Sequence, residues 1–301
     1  MSQPMADAMV DVVARKTYRH LRISLVVAAF ALAVSVGYEH FTSAARWNEL
    51  CWQGSISAYY WTPVHSVFVG ALIAIGLSMI VMTTYGPYEN MFLNLAGMMA
   101  PLVALIPPDR PGSCAPTHAI DLSIGFDVAN NSFAFFLGGA AALATTLTIV
   151  SIAHKRPSIG DGAKAKAWGI QITILAAVLG GLAIWHFIIK DGFTSFAHPT
   201  SAVLMFVFIF IVVVINSHKI TVSHTYRVLY RTVQWFMVGS VLLLLSIKGI
   251  VSLAHHTWDH YILLIEIAMI VAFAAFWTLQ TTELWNARPG LPTATPAELA
   301  D

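Results

Sequence analysis

The chain has 301 residues, of which 57% are hydrophobic and only 10% charged, with a mean hydropathy of +0.72 and a formal net charge of +1. A soluble domain carries about 25% charged residues, so this composition excludes a soluble globule. The balanced charge and the lack of a basic stripe leave no basis for a nucleic-acid partner.

Runs of about 20 apolar residues match the ~30 Å hydrocarbon core at 1.5 Å per residue and predict transmembrane helices. Eight spans are expected, at 22–38, 63–84, 91–107, 132–153, 168–189, 201–217, 232–253 and 260–281. The predicted fold class is all-α, a polytopic transmembrane helix bundle forming one domain over 1–285. A tail at 286–301, rich in Pro, Ala and Thr, is expected to be disordered. The first span follows ARKTYRHLR and lacks a small-x-small cleavage site, so it reads as a retained helix.

Basic residues set the expected orientation. Arg15, Lys16, Arg19 and Arg22 precede the first span; Lys155, Arg156, Lys164 and Lys166 follow the fourth; Lys219, Arg227 and Arg231 follow the sixth; Arg288 lies in the tail. The opposite side holds only Arg46, Arg110, Lys190 and Lys248, which predicts cytoplasmic termini. Both cysteines then fall outside the cytoplasm, Cys51 between spans one and two and Cys114 between spans three and four, where disulfides persist. A Cys51–Cys114 bridge and two packed thiols are both open on sequence alone.

The outer loops 39–62 and 108–131 are too short to fold alone and are expected to cap the bundle. Within the first, SISAYYW supplies Tyr59, Tyr60 and Trp61 at the expected membrane interface, where aromatic belts sit. Interface anchoring explains these rings but not the paired Ser55 and Ser57. Small residues in GALIA (70–74), GGAAALA and AVLGG predict close helix packing.

Most histidines and carboxylates fall at the outer side, where ionisable groups near membrane depth point to function. The densest cluster is HHTWDH (255–260), ahead of a long apolar run carrying Glu266. If the last helix begins near His255, His256 and His260 share one stripe, the spacing that lets two imidazoles hold one metal ion. Asp259 and Glu266 then lie on the adjacent stripe, where a carboxylate could orient an imidazole or move a proton. The alternative is a set of solvated histidines at a helix N-terminus. A third ligand would come from His65 or His186, both expected at similar depth, with His118 and His198 in loops. Lys248, inside span seven, is expected to pair with Asp259, Glu266 or a loop carboxylate, or to snorkel outward.

The stretch SISAYYWTPVHSVFVGALIAIGLSMIVMTTYG, with the later NLAGMMAPLVALIPP and IEIAMIVAFAAFW, resembles a family of bacterial integral membrane proteins of unassigned activity. That family opens its second span with a SISAYY-T-x-x-x-x-FVG segment, and the resemblance implies a bacterial plasma-membrane location. It carries Arg-Asp where His65 and Ser66 stand here, so a metal role for His65 would not be a family trait. The last-span HxxxH and the early His65 are also similar to the alkaline ceramidase and progestin/adiponectin-receptor transmembrane hydrolases, which implies zinc between helices. Trp61 stands where those proteins have a serine, Asp121 and Asp127 fall in a loop, and eight spans replace seven.

Three functions follow as expectations. The first is a zinc-dependent intramembrane hydrolase of lipid amide or ester bonds, with His256, His260 and His65 or His186 holding zinc and Asp259 or Glu266 assisting catalysis. The second is a non-enzymatic accessory subunit, lipid-handling protein or scaffold, with membrane lipids and other membrane subunits as partners. The third is a haem or quinone protein.

Overall fold

The computed structural model describes residues 3–47, 52–84, 86–109, 124–152, 162–189 and 192–285. These residues form helices and no strand: α1 (Gln3–Trp47), a 3-10 helix (Ser57–Trp61), α2 (His65–Val81), α3 (Pro87–Leu105), α4 (Ile124–Ile152), α5 (Gly162–Ile184), a π-helical turn (Trp185–Ile189), α6 (Phe193–His218), α7 (His224–Leu253) and α8 (Tyr261–Glu283). Each of these eight α-helices overlaps one expected span. Six are long and apolar enough to cross a membrane: α1, α4, α5 with its π-helical turn, α6, α7 and α8. The apolar α2 is shorter, at 17 residues. Cys51, Cys114, His118, Asp121 and the tail 286–301 lie outside the described residues.

Two local expectations need correction. The stretch 39–62 does not open as a loop, because α1 continues to Trp47. Its extension YEHFTSAARW contains neither Gly nor Pro, and the first such breaker after Gly37 is Gly54. Asp127, expected in a loop, is a residue of α4.

Helix starts follow ordinary local chemistry. Gly86 is extended, Pro87 opens α3 without needing an N–H partner, and Glu89 stands in the first turn, where a carboxylate meets the positive end of the helix dipole. Ser223 caps α7 by accepting from the Tyr226 amide at 3.5 Å.

Successive helices run antiparallel and gather their ends into two polar layers. At one end, Trp52 and Gly54 meet the start of α8, and Ile106, just past α3, meets α6. At the other, α1 meets Thr83 and Trp285, and α3 meets α6 and α8. The core between them comes from α1, α2, α3, α6 and α8, with Leu25, Phe68, Met79, Met99, Val212 and Trp277 nearly inaccessible. By contrast, none of the α5 segment Gly169–Ile189 is buried, and α7 buries no residue after Met237.

The tightest helix contact is between α2 and α3. A Cβ on Gly76 would stand 2.7 Å from the Gly97 carbonyl, and one on Gly97 would stand 2.7 Å from the Gly76 carbonyl and 2.6 Å from Ile80 Cγ1. Only glycine permits that approach. Gly70 of the GALIA motif has nothing within 4 Å of a Cβ, so the close packing lies one turn and a half further along than GALIA suggests.

Candidate functional site

A cavity of about 60 Å³ lies inside the bundle, lined by residues of α1, α2, α3, α6, α8 and the 3-10 segment. Its walls are apolar, with Leu32, Phe68, Ile75, Met205, Ile209 and Phe273 among them, and its polar lining residues are Ser57 and Glu266. A volume of roughly 10–15 Å³ admits one water, and an apolar cavity of about 150 Å³ stays dry and takes a benzene-sized ligand, so this smaller one has room for a few carbons. The cavity therefore favours hydrocarbon, with one carboxylate at its head.

Glu266 is held there by the segment before α2. Its Oε2 accepts from the Ile56 amide at 2.5 Å and its Oε1 from the Ser57 hydroxyl at 3.1 Å. Ser55 turns its oxygen to the Ala58 amide at 3.0 Å and so closes the 3-10 turn. These two contacts account for the paired serines. The same segment is laced to α8 by the Leu263 amide donating to the Gly54 carbonyl at 3.0 Å, and a Cβ on Gly54 would stand 3.3 Å from the Asp259 carbonyl. Tyr59, Tyr60 and Trp61 are no interface belt: at 1%, 4% and 2% exposure they belong to the core. Burial pushes the Tyr59 hydroxyl above its ordinary titration range, and the nearby Glu39 adds to the shift.

On α6, the stripe Ala202, Met205, Phe206 and Ile209 faces the cavity, and His198 stands one turn before Ala202. Its Nδ1 lies 2.6 Å from the Ile106 carbonyl, which can only accept, so Nδ1 carries the proton. Its Nε2 is buried and has no hydrogen-bond partner among the described residues. α6 and α8 run in the same direction, and with Asn216 and Gln280 both on Glu89 Oε1 the residue of α6 level with Glu266 is Ala202, so His198 stands one turn beyond the carboxyl.

The expected metal ligands are placed singly. Leu253 ends α7 and Tyr261 begins α8, so HHTWDH is the loop between them and the i, i+4 stripe of His256 and His260 does not form. The His256 amide donates to the Val251 carbonyl at 3.1 Å, closing the end of α7, while His260 precedes α8 with Nε2 3.2 Å from the Trp52 carbonyl. His65 bonds the Tyr60 carbonyl through Nδ1 at 3.0 Å and sets its ring edge to Tyr60. His186 packs against Phe136, Phe187 and Phe193. Asp259 is exposed. Among the described residues, no three His, Cys, Asp or Glu gather in a way that could hold a metal ion. Lys248 places its Nζ 4.0 Å above the Tyr261 ring, a cation–π contact in place of the expected carboxylate pairing.

A second polar cluster at the opposite end was invisible to the span-by-span reading. Glu89, 1% exposed, accepts through Oε1 from Asn216 at 2.8 Å and Gln280 at 3.4 Å, and through Oε2 from Lys219 at 2.5 Å. Tyr230 donates to Glu283 at 2.5 Å, and the buried Arg22 lies in the field of Glu89, Tyr230 and Glu283. The cluster joins α1, α3, α6, α7 and α8. Its available signals were weak: Tyr18 and Arg22 one turn apart on α1, and Gln280 and Glu283 in the last turn of α8. Its carboxylates are held by donors from several helices, so it reads as a structural tie, with Arg22 Nε and Gln280 Oε1 buried and without a hydrogen-bond partner among the described residues.

Six apolar helices of membrane length define the class: a multi-pass, all-helical membrane protein. Comparison with protein families, curated proteins and solved structures finds no match for the chain.

Proposed function

We propose that the protein takes the apolar part of a membrane lipid into its helix bundle and is a lipid-handling protein. The observation that carries this reading is the apolar cavity with the Glu266 carboxyl at its head. Such a group inside an apolar site is costly unless it serves a contact, and it has three protein donors that fix its direction, the Ile56 amide and the hydroxyl and amide of Ser57. Entry from the side is supported by α7. This helix packs through Tyr230, Val233 and Met237 and then leaves the core, beside the halves of α6 and α8 that line the cavity.

In this proposal all eight helices lie within the membrane, with α2 and α3 packed in the interior of the bundle. The termini are cytoplasmic by the distribution of Lys and Arg, which puts Glu266 in the outer half and Glu89 in the inner half. A zinc-dependent hydrolase has no ligand cluster to support it among the described residues.

The test is native mass spectrometry of the detergent-purified chain beside Ala202→Trp, which fills the cavity from α6. A lipid bound to the parent at about one per chain and lost in the variant supports the reading. Equal lipid content in both overturns it.

A further inference from the structure

The cavity is selective in charge as well as in polarity. Among the described residues no Lys, Arg or other cationic group lines it, and the lining residue that carries charge when ionised is Glu266. A phosphate or carboxylate head placed there would have no counter-charge in an apolar surrounding, the costliest arrangement for an ion. Ordinary anionic or zwitterionic phospholipid heads are therefore disfavoured inside the bundle.

Hydrogen-bonding capacity points the same way. A carboxylate has about four lone-pair sites, and the protein supplies Glu266 with three donors, the Ile56 amide and the hydroxyl and amide of Ser57. Acceptor capacity is left over on the residue that lines the cavity. An acceptor with spare capacity and no cationic donor in the described lining call for a ligand that brings its own hydrogen.

Resting on the lipid-handling reading, we infer that the ligand is an apolar chain ending in a hydroxyl or amine, without phosphate or carboxylate. Glu266 accepts from that head group, the first carbons of the chain lie along Phe68, Ile75, Met205 and Phe273, and the rest of the chain leaves the bundle on the side of α7. A hydrogen bond from a charged group to its partner is worth enough to separate a donor head from an anionic one by about tenfold or more.

Four probes with the same sixteen-carbon chain test this on the full-length chain in detergent: hexadecanol, hexadecylamine, palmitate and hexadecyl phosphate. Binding is read by native mass spectrometry and by the thermal shift each probe produces. The expected result is that the alcohol and the amine bind at least about tenfold more tightly than the two anions. Glu266→Gln removes the charge while keeping the shape, and should bring palmitate close to the alcohol. Palmitate or hexadecyl phosphate binding the parent as tightly as hexadecanol overturns the inference and leaves the lipid reading intact. Binding of none of the four in a manner lost with Ala202→Trp overturns the reading itself. The ranking in the parent decides the question even where Glu266→Gln fails to fold.

Discussion

Lys219 and Glu89 form an asymmetric ion pair: the lysine, 28% exposed, reaches in from the end of α6 to a carboxylate that is 1% exposed, at 2.5 Å. Removing either partner should have unequal cost. Lys219→Met leaves a buried carboxylate with the amides of Asn216 and Gln280 and the field of the more distant Arg22, and the loss of a direct partner of this kind is worth about 3–5 kcal/mol. Glu89→Gln leaves a lysine that can turn to water, at about 1–2 kcal/mol. Thermal unfolding of the two variants in detergent checks the order, and a larger drop for Glu89→Gln would contradict it.

The α2–α3 crossing gives a sharper contrast. Gly76→Ala and Gly97→Ala each push a methyl against a backbone carbonyl 2.7 Å away, which cannot turn aside as a side-chain tip does. Overpacking of this kind costs about 1–3 kcal/mol. Gly70→Ala, with open space around it, should leave stability unchanged or raise it slightly through the better helix propensity of alanine. Melting temperatures of the three variants decide this, and equal effects at all three positions would remove the close crossing as their cause.

His255 holds a left-handed backbone, φ 58°, in the turn that ends α7. A non-glycine residue pays strain there, so His255→Gly should stabilise by about 0.5–1 kcal/mol and His255→Val should destabilise. The neighbouring His256 is exposed, and His256→Ala should stay within about 0.5 kcal/mol of the parent. Equilibrium or thermal unfolding of the three variants is the check.

Tyr59 should report on alkaline pH. Its hydroxyl is held above the ordinary tyrosine range by burial first and by Glu39 second. A group whose titration is raised in the folded state contributes stability that is complete below its unfolded value, about 10, and is lost as pH rises through the folded value. The parent should therefore lose thermal stability above about pH 10 more steeply than Tyr59→Phe. Identical alkaline limbs in the two proteins would show that Tyr59 is not buried in this way.

How far these features could be read from the sequence depended on the range of the interaction. Span positions follow from runs of apolar residues, a local property, and each of the eight helices overlaps its expected segment. Glu266 stood out because it is a lone carboxylate in such a run. Its partners Ile56 and Ser57 did not, being 210 and 209 residues away. Glu89 was hidden for the same reason, since its partners lie 127 to 191 residues along the chain in helices that share no pattern with it. HHTWDH misled because spacing alone assumes a helix. The α7 apolar run carries on to Leu253 and the turn around His255 consumes the residues that the HxxxH reading needed. Aromatic composition likewise cannot separate an interface belt from the buried Tyr59, Tyr60 and Trp61.

The face of α8 that reads Glu266, Ile270, Phe273, Trp277, Gln280 joins the two polar ends of the bundle along one line, yet between them it presents only hydrocarbon and indole. Phe276 and Trp277 are fully inaccessible, and Met79 and Met99 of α2 and α3 are buried in the same core. Across an energised membrane each unit charge carries about 2.3 kcal/mol per 100 mV, so a wet thread from Glu266 to Glu89 would leak protons down the voltage. The Trp277 layer is an electrical insulator: it allows carboxyl groups near both faces of the bundle without joining them into a conductor.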